Sequence, residues 1–127
     1  MVLVDTNIII GFWRKRDSSM EQIFLTEDVA VCGVVKAELM HGARNKEDID
    51  RIMKALSPFP CLDMQEGDWE NLGRNLYELR SHGITLPFQD VLIATIAISH
   101  KAQVWTNDVH FARMQEFVPG LRLYGKA

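Results

Sequence analysis

The 127-residue chain has too few cysteines for a disulfide framework and no Cys-x-x-Cys pair for a zinc site. Cys32 and Cys61 are its only two, far apart and each inside a strand-like run. Both are read as free, buried thiols of a reducing compartment. A surplus of positive charge is missing as well: 14 basic residues face 17 acidic ones, a net of −3. That balance excludes a basic, histone-like nucleic-acid binder on bulk charge. No apolar run approaches the ~20 residues of a membrane span; the longest, Val91 to Ile98, is far shorter. The opening Met1-Val2-Leu3-Val4-Asp5 lacks the basic start of a signal peptide, so a cytoplasmic protein with no membrane partner is expected. Repeats, low-complexity tracts and linkers are also absent. With 47% hydrophobic residues, positions 1–127 are expected to form a single domain with a full core.

What is present is an alternation of short β-branched runs with longer helical patterns. Strands are expected at Val2–Val4, Val29–Cys32, Phe59–Leu62, Gln103–Thr106 and Leu121–Tyr124. Helix starts are signalled by Ser18 with Glu21, by Asn45 ahead of Glu47 and Asp48, and by Asp63 ahead of Glu66 and Asp68. Gly83 closes a helix running from about Glu66 to His82, and Pro119-Gly120 turns the chain into its last strand. Ile8-Ile9-Ile10 has strand propensity, yet Asp5-Thr6-Asn7 are cap and turn residues, which predicts a helix from Thr6. The fold implied is α/β: a three-layer α/β/α sandwich around a parallel sheet of about five strands.

Four acids stand out by position. Asp5 ends the first strand and Asp108 lies just past the strand Gln103–Thr106, so both project at the carboxyl edge of the sheet. Ligands of open α/β sheets bind at that edge, where the strand order reverses. Glu38 falls among Val34, Val35, His41 and Gly42 at helical spacing, a largely apolar stripe with no usable partner in Lys36. Asp90 heads the helix Phe88–Lys101, above Ile93, Ala94, Ala97 and Ile98. An acid on such a stripe is costly to ionise unless a cation receives it. Asp5 and Asp90 could each merely cap a helix, and Asp108 taken alone is a turn residue. Four carboxylates at one edge call for a cation, and an all-oxygen set selects Mg²⁺ or Mn²⁺.

These residues resemble a known family. Val2-Leu3-Val4-Asp5-Thr6-Asn7 is similar to the opening of PIN-domain nucleases, and Ala37-Glu38-Leu39 with Gly42 to their second acidic motif. Gln89-Asp90-Val91-Leu92-Ile93-Ala94-Thr95-Ile96-Ala97 resembles the third, and Thr106-Asn107-Asp108-Val109-His110-Phe111 the fourth. Pro119-Gly120-Leu121 is similar to the lead into the family's last strand. The compact length most resembles the VapC toxins of bacterial and archaeal toxin–antitoxin pairs. Two positions depart from the pattern: many members carry an acid where His110 stands and a Ser or Thr where Gly33 stands.

The resemblance implies a Mg²⁺- or Mn²⁺-dependent endoribonuclease in which Asp5, Glu38, Asp90 and Asp108 bind metal and catalyse phosphodiester hydrolysis. Thr6, Asn7, Thr106 and Asn107 are then the donors that hold the carboxylates. It also implies a homodimer, an RNA substrate (transfer RNA among the options), and a VapB-like antitoxin through which DNA is contacted only indirectly. Taking these four from the 17 acidic residues leaves 13 against 14 basic, so the net charge does not oppose an RNA substrate. Arg14-Lys15-Arg16 is read as a solvated helix end, and Trp13, Trp69 and Trp105 as core or dimer packing. Among the histidines, His110 alone lies near the site. Two rivals are a phosphorylatable receiver domain using Asp63, whose first strand lacks the usual adjacent acids, and an aspartyl-phosphate phosphatase, which wants an Asp where Asn7 stands. A PIN nuclease of RNA processing, without an antitoxin, is a third.

Overall fold

The computed structural model describes residues 1–125. Its elements run β1 (Val2–Val4), α1 (Thr6–Arg14), α2 (Ser18–Thr26), β2 (Val29–Cys32), α3 (Gly33–His41), α4 (Lys46–Leu56), β3 (Cys61–Leu62), α5 (Asp68–Ser81), α6 (Phe88–Ser99), β4 (Gln103–Trp105) and α7 (Val109–Gln115). The strands form one parallel sheet in the order β3-β2-β1-β4. From β1 the chain steps one way to β2 and β3, then returns to the far side of β1 with β4. With right-handed crossovers, that reversal puts helices on both faces and a switch point between β1 and β4. All three residues of β1 and all four of β2 are buried, which is why they read as unbroken apolar runs.

Several boundaries differ from the sequence reading, each for a local reason. The sheet has four strands, not five: Leu121–Tyr124 makes a single bridge, Val104 with Leu123, before Gly125 turns at a φ of 75°. β3 shrinks to two residues because Pro60 has no N–H to give, and the Phe59 N–H closes the end of α4 on Leu56. Asp17, one residue ahead of Ser18, caps α2 by accepting from the Ser19 and Met20 amides. Gly67, at a φ of 86°, delays α5 to Asp68, whose carboxylate reaches back to the Gln65 amide at 2.6 Å. α6 stops at Ser99, and Lys101 turns at a φ of 55°. The expected helix from Thr6, the Asn45 cap and the Gly83 stop are all present, the last with Ile84 N–H donating to Leu79 O at 2.8 Å.

The core fills both sides of the sheet, with Leu3, Val4, Val31, Val35, Val91, Ile93 and Phe111 fully buried. Trp105 joins it, packed on Phe24 and Tyr124, whereas Trp13 and Trp69 are exposed and so are not core residues. No helix among the described residues is long and apolar enough to cross a membrane. The two cysteines part company: Cys32 is wholly buried, but Cys61, on the edge strand, is exposed rather than buried. Burial pushes the Cys32 thiol up to about 11. A disulfide-exchange reagent is therefore expected to titrate one thiol in the native protein and the second only after denaturant unfolds it. Two fast native thiols would contradict this packing.

Candidate active site

Parallel pairing of β1 with β4 sets Val4 beside Trp105, so the residues that follow, Asp5 and Thr106, emerge together at the carboxyl edge. The Asp5 amide donates to Trp105 O at 2.9 Å, fastening the two strand ends to each other. Asp5 is 5% exposed and caps α1: one carboxylate oxygen accepts from the Thr6 amide at 2.8 Å, the other from the Thr106 hydroxyl at 2.7 Å. The Thr106 oxygen in turn accepts from the Asp108 amide at 2.9 Å and from Asn7 Nδ2 at 3.5 Å. Its one proton and both lone pairs are thus in use.

Asp108 caps α7, accepting from the His110 amide at 2.9 Å. That cap aims the His110 ring back across the site, with Nδ1 2.8 Å from Asp90 Oδ2 and 3.2 Å from Asp108 Oδ1. Asp90 reaches the same point from the first turn of α6. It is 8% exposed and makes no side-chain cap bond; Pro87 holds the N-cap position, and Asp90 lies in the first turn. Glu38 arrives from α3, accepting from the Thr6 hydroxyl at 3.1 Å. Its side chain is exposed, so the sequence argument that burial would force a charged partner on Glu38 does not hold. The stripe is broken because α3 turns only Val35 and Leu39 fully inward.

Of the supporting residues, Thr6 and Thr106 touch carboxylates directly. Asn7 does not: its Oδ1 accepts from the Asn107 amide at 3.2 Å, bracing the loop after β4. Asn107 takes part through its backbone. The residue that sequence reasoning undervalued is His110. The signal was an Asp-x-His spacing at a helix start, where the N-cap carboxylate accepts from the backbone amide two residues on and so lies beside that residue.

Burial dominates the electrostatics. Desolvation raises the Asp5 carboxyl above its ordinary value. Hydrogen bonds from Thr106 and Thr6 pull it down by less, and the charges of Asp90 and Glu38 push it up again. Asp90 is likewise raised by desolvation, against the His110 hydrogen bond and with the added repulsion of Asp108. Among the described residues, no Lys or Arg pairs with any of the four acids. The donors fit a divalent cation: ligand atoms of Asp90, Asp108 and His110 lie within 4.8 Å of one another, beside an Asp5 short of positive charge.

Two cavities share Trp13, and one of them reaches the site. One, of about 290 Å³, is lined by Ile9, Phe12, Trp13, Phe24, Leu56 and Phe59. The next, of about 310 Å³, shares Trp13 and reaches Arg14, Leu39 and Glu38. Arg14, the last residue of α1 as the sequence reading has it, shares this cavity with Glu38.

Comparison with known proteins follows the same lines. One chain of the Rickettsia felis VapBC2 structure, bound to a DNA fragment from the promoter, superposes with a TM-score of 0.83 at 26% identity, covering 97% of both chains. VapBC-1 of nontypeable Haemophilus influenzae gives 0.81 at 22%, covering 97% of this chain and 96% of that one. DNA-bound VapBC of Salmonella typhimurium gives 0.77 at 24%, covering 96% and 95%. No curated protein sequence matches. The profile of the PIN domain matches residues 2–116, from β1 through α7, and the chain belongs to the PIN domain family.

Proposed function

We propose that this protein is a divalent-metal-dependent endoribonuclease, the toxin of a toxin–antitoxin pair. One observation carries the reading: Asp90 and Asp108 come together at the carboxyl edge, Asp5 is joined to Asp108 through the Thr106 hydroxyl, Glu38 is bonded to Thr6 beside Asp5, and among the described residues no Lys or Arg pairs with any of the four. Asp5, Glu38, Asp90 and Asp108 are the metal-holding and catalytic residues. Bound there, Mg²⁺ or Mn²⁺ supplies Lewis acidity towards water and phosphoryl oxygens. The chain's own part is positioning. Thr106 and Thr6 fix both oxygens of Asp5, the α7 cap fixes Asp108, and exposed Glu38 is free to face a substrate strand. RNA, with transfer RNA as a target class, rests on the motif resemblance.

The receiver reading fails on the family and on place: Asp63 is exposed at the end of edge strand β3, two strands from Asp5. The antitoxin reading is favoured over solitary RNA processing by the apolar groove. It is made of two neighbouring cavities that share Trp13, one lined by Phe24 and Phe59 with Arg16, the other reaching Glu38 with Arg14; we take them as the seat of an apolar antitoxin segment. Two of the similar solved structures, those from Rickettsia felis and Salmonella typhimurium, are VapBC bound to DNA, and we take the corresponding DNA contact here to be the antitoxin's. Trp69, Tyr77 and Phe88, each more than half exposed, support a homodimer.

Purified protein is expected to cut structured RNA at few sites with Mn²⁺ or Mg²⁺, to stop on chelation, and to lose cleavage in Asp5→Ala. Full activity of that variant removes the assignment. On co-expression with the protein encoded beside it, the wild type is expected to co-purify as an RNA-inactive complex. Trp13→Glu should cut RNA but escape capture, and light scattering of the free protein should give a dimer mass. Absence of any complex excludes the antitoxin, and a monomer at micromolar concentration excludes the homodimer.

Asp90→Asn provides a test through stability. A carboxyl raised in the fold favours its protonated form, so its contribution becomes a cost as pH rises through the folded value. At neutral pH Asn removes that cost while its amide oxygen still accepts from His110. In chelator the variant is expected to melt above wild type. On Mn²⁺ addition it should gain less than wild type, whose gain is about 2.7 kcal/mol at a hundredfold excess over Kd. A variant less stable than wild type in chelator and equally stabilised by Mn²⁺ contradicts this reading.

A further inference from the structure

His110 does more than accompany the acids. Its Nδ1 is 2.8 Å from Asp90 Oδ2 and 3.2 Å from Asp108 Oδ1, and the three side chains form the one tight group of potential ligands among the described residues. We infer that His110 is a nitrogen ligand of the cation centre and shifts its preference from Mg²⁺ towards Mn²⁺ and Co²⁺. The inference rests on the metal-dependent reading above and revises its all-oxygen donor set.

Three features lead there. The ring is carried by a helix, not a free loop: the His110 amide is bonded to Asp108 Oδ1 at 2.9 Å, and Phe111 beside it is fully buried. Asp90 stands on α6, whereas Asp108 caps α7 and His110 lies in the first turn of that helix, so the three donors converge from two supports. A cation held by Asp90 and Asp108 would take Nδ1 as a ligand once the proton that Nδ1 now shares with Asp90 has moved to Nε2 or left to solvent. Mg²⁺ holds hard oxygen ligands and gives up water reluctantly, whereas imidazole affinity grows along the series from Mn²⁺ to Co²⁺ and beyond. The alternative, that His110 is only a hydrogen-bond donor to Asp90, keeps the centre all-oxygen and indifferent to the ring.

Pulsed electron paramagnetic resonance separates the two. The full-length protein is loaded with Mn²⁺ and examined for ¹⁴N coupling from a directly bound imidazole. In parallel, calorimetric titration gives the Mn²⁺ and Mg²⁺ affinities of wild type, His110→Ala and His110→Asp. Wild type is expected to show the coupling and both variants to lose it. The preference for Mn²⁺ over Mg²⁺ should fall by roughly tenfold or more in His110→Asp, which keeps a ligand but of oxygen. If His110→Ala fails to fold, the His110→Asp comparison carries the test. Mn²⁺ bound to wild type without ¹⁴N coupling, or coupling that persists in the variants, overturns the role of His110 and leaves the metal reading intact. Wild-type protein that binds no Mn²⁺ overturns both.

Discussion

Everything at the carboxyl edge depends on β1 lying beside β4. Val2, Leu3 and Val4 pair in parallel with Gln103, Val104 and Trp105, and the Asp5 amide extends the ladder to Trp105 O. That register decides that Asp5 meets the Thr106 hydroxyl and, through it, the Asp108 amide. A slip of one residue would send Asp5 to the opposite face of the pleat and break each of these bonds. Chain reversal between β3 and β4 leaves the same two strand ends uncovered by a crossover, so an acid placed there is open to a ligand while its flanks are buried.

The cost of this arrangement is concentrated on Asp5 and Asp90. Hydrogen bonds to a charged group contribute about 1.5–3 kcal/mol each, and Asp5 accepts two. Taking a carboxylate out of water costs several kcal/mol. For both residues desolvation wins, and the carboxyl is raised. A Lys or Arg would settle the imbalance permanently but would also block the edge. A partly exposed imidazole beside Asp90 leaves the edge open, and under the proposed function an exchangeable cation would offset the repulsion.

Much of the fold was legible because the periodicities were unambiguous. Val29–Cys32 and Val2–Val4 are continuous apolar runs, as strands buried on both faces must be, and Asp5-Thr6-Asn7 ended the first one despite the Ile8-Ile9-Ile10 that follows. The illegible parts lay where one residue overrode a pattern. Pro60 cut β3 short, Gly67 postponed α5, and Gly125 left the fifth strand as a lone bridge. At the site, motif order named four acids, but spacing could not tell a buried acid from an exposed one. Asp90 is buried and Glu38 is not, although both sit on apolar-looking stripes. Nor could it show that the Asp108 cap turns His110 towards Asp90, a long-range contact between α7 and α6.

The central claim is that these acids form a cation centre. Anomalous diffraction from crystals soaked in Mn²⁺ tests it most directly, because the peak reports position without reference to activity. The account predicts a manganese peak at the carboxyl edge, within coordinating distance of Asp90 and Asp108 and on the side of Asp5. A well-ordered, Mn²⁺-saturated crystal with no peak there, or with manganese only at surface carboxylates such as Glu47 and Glu78, would contradict it.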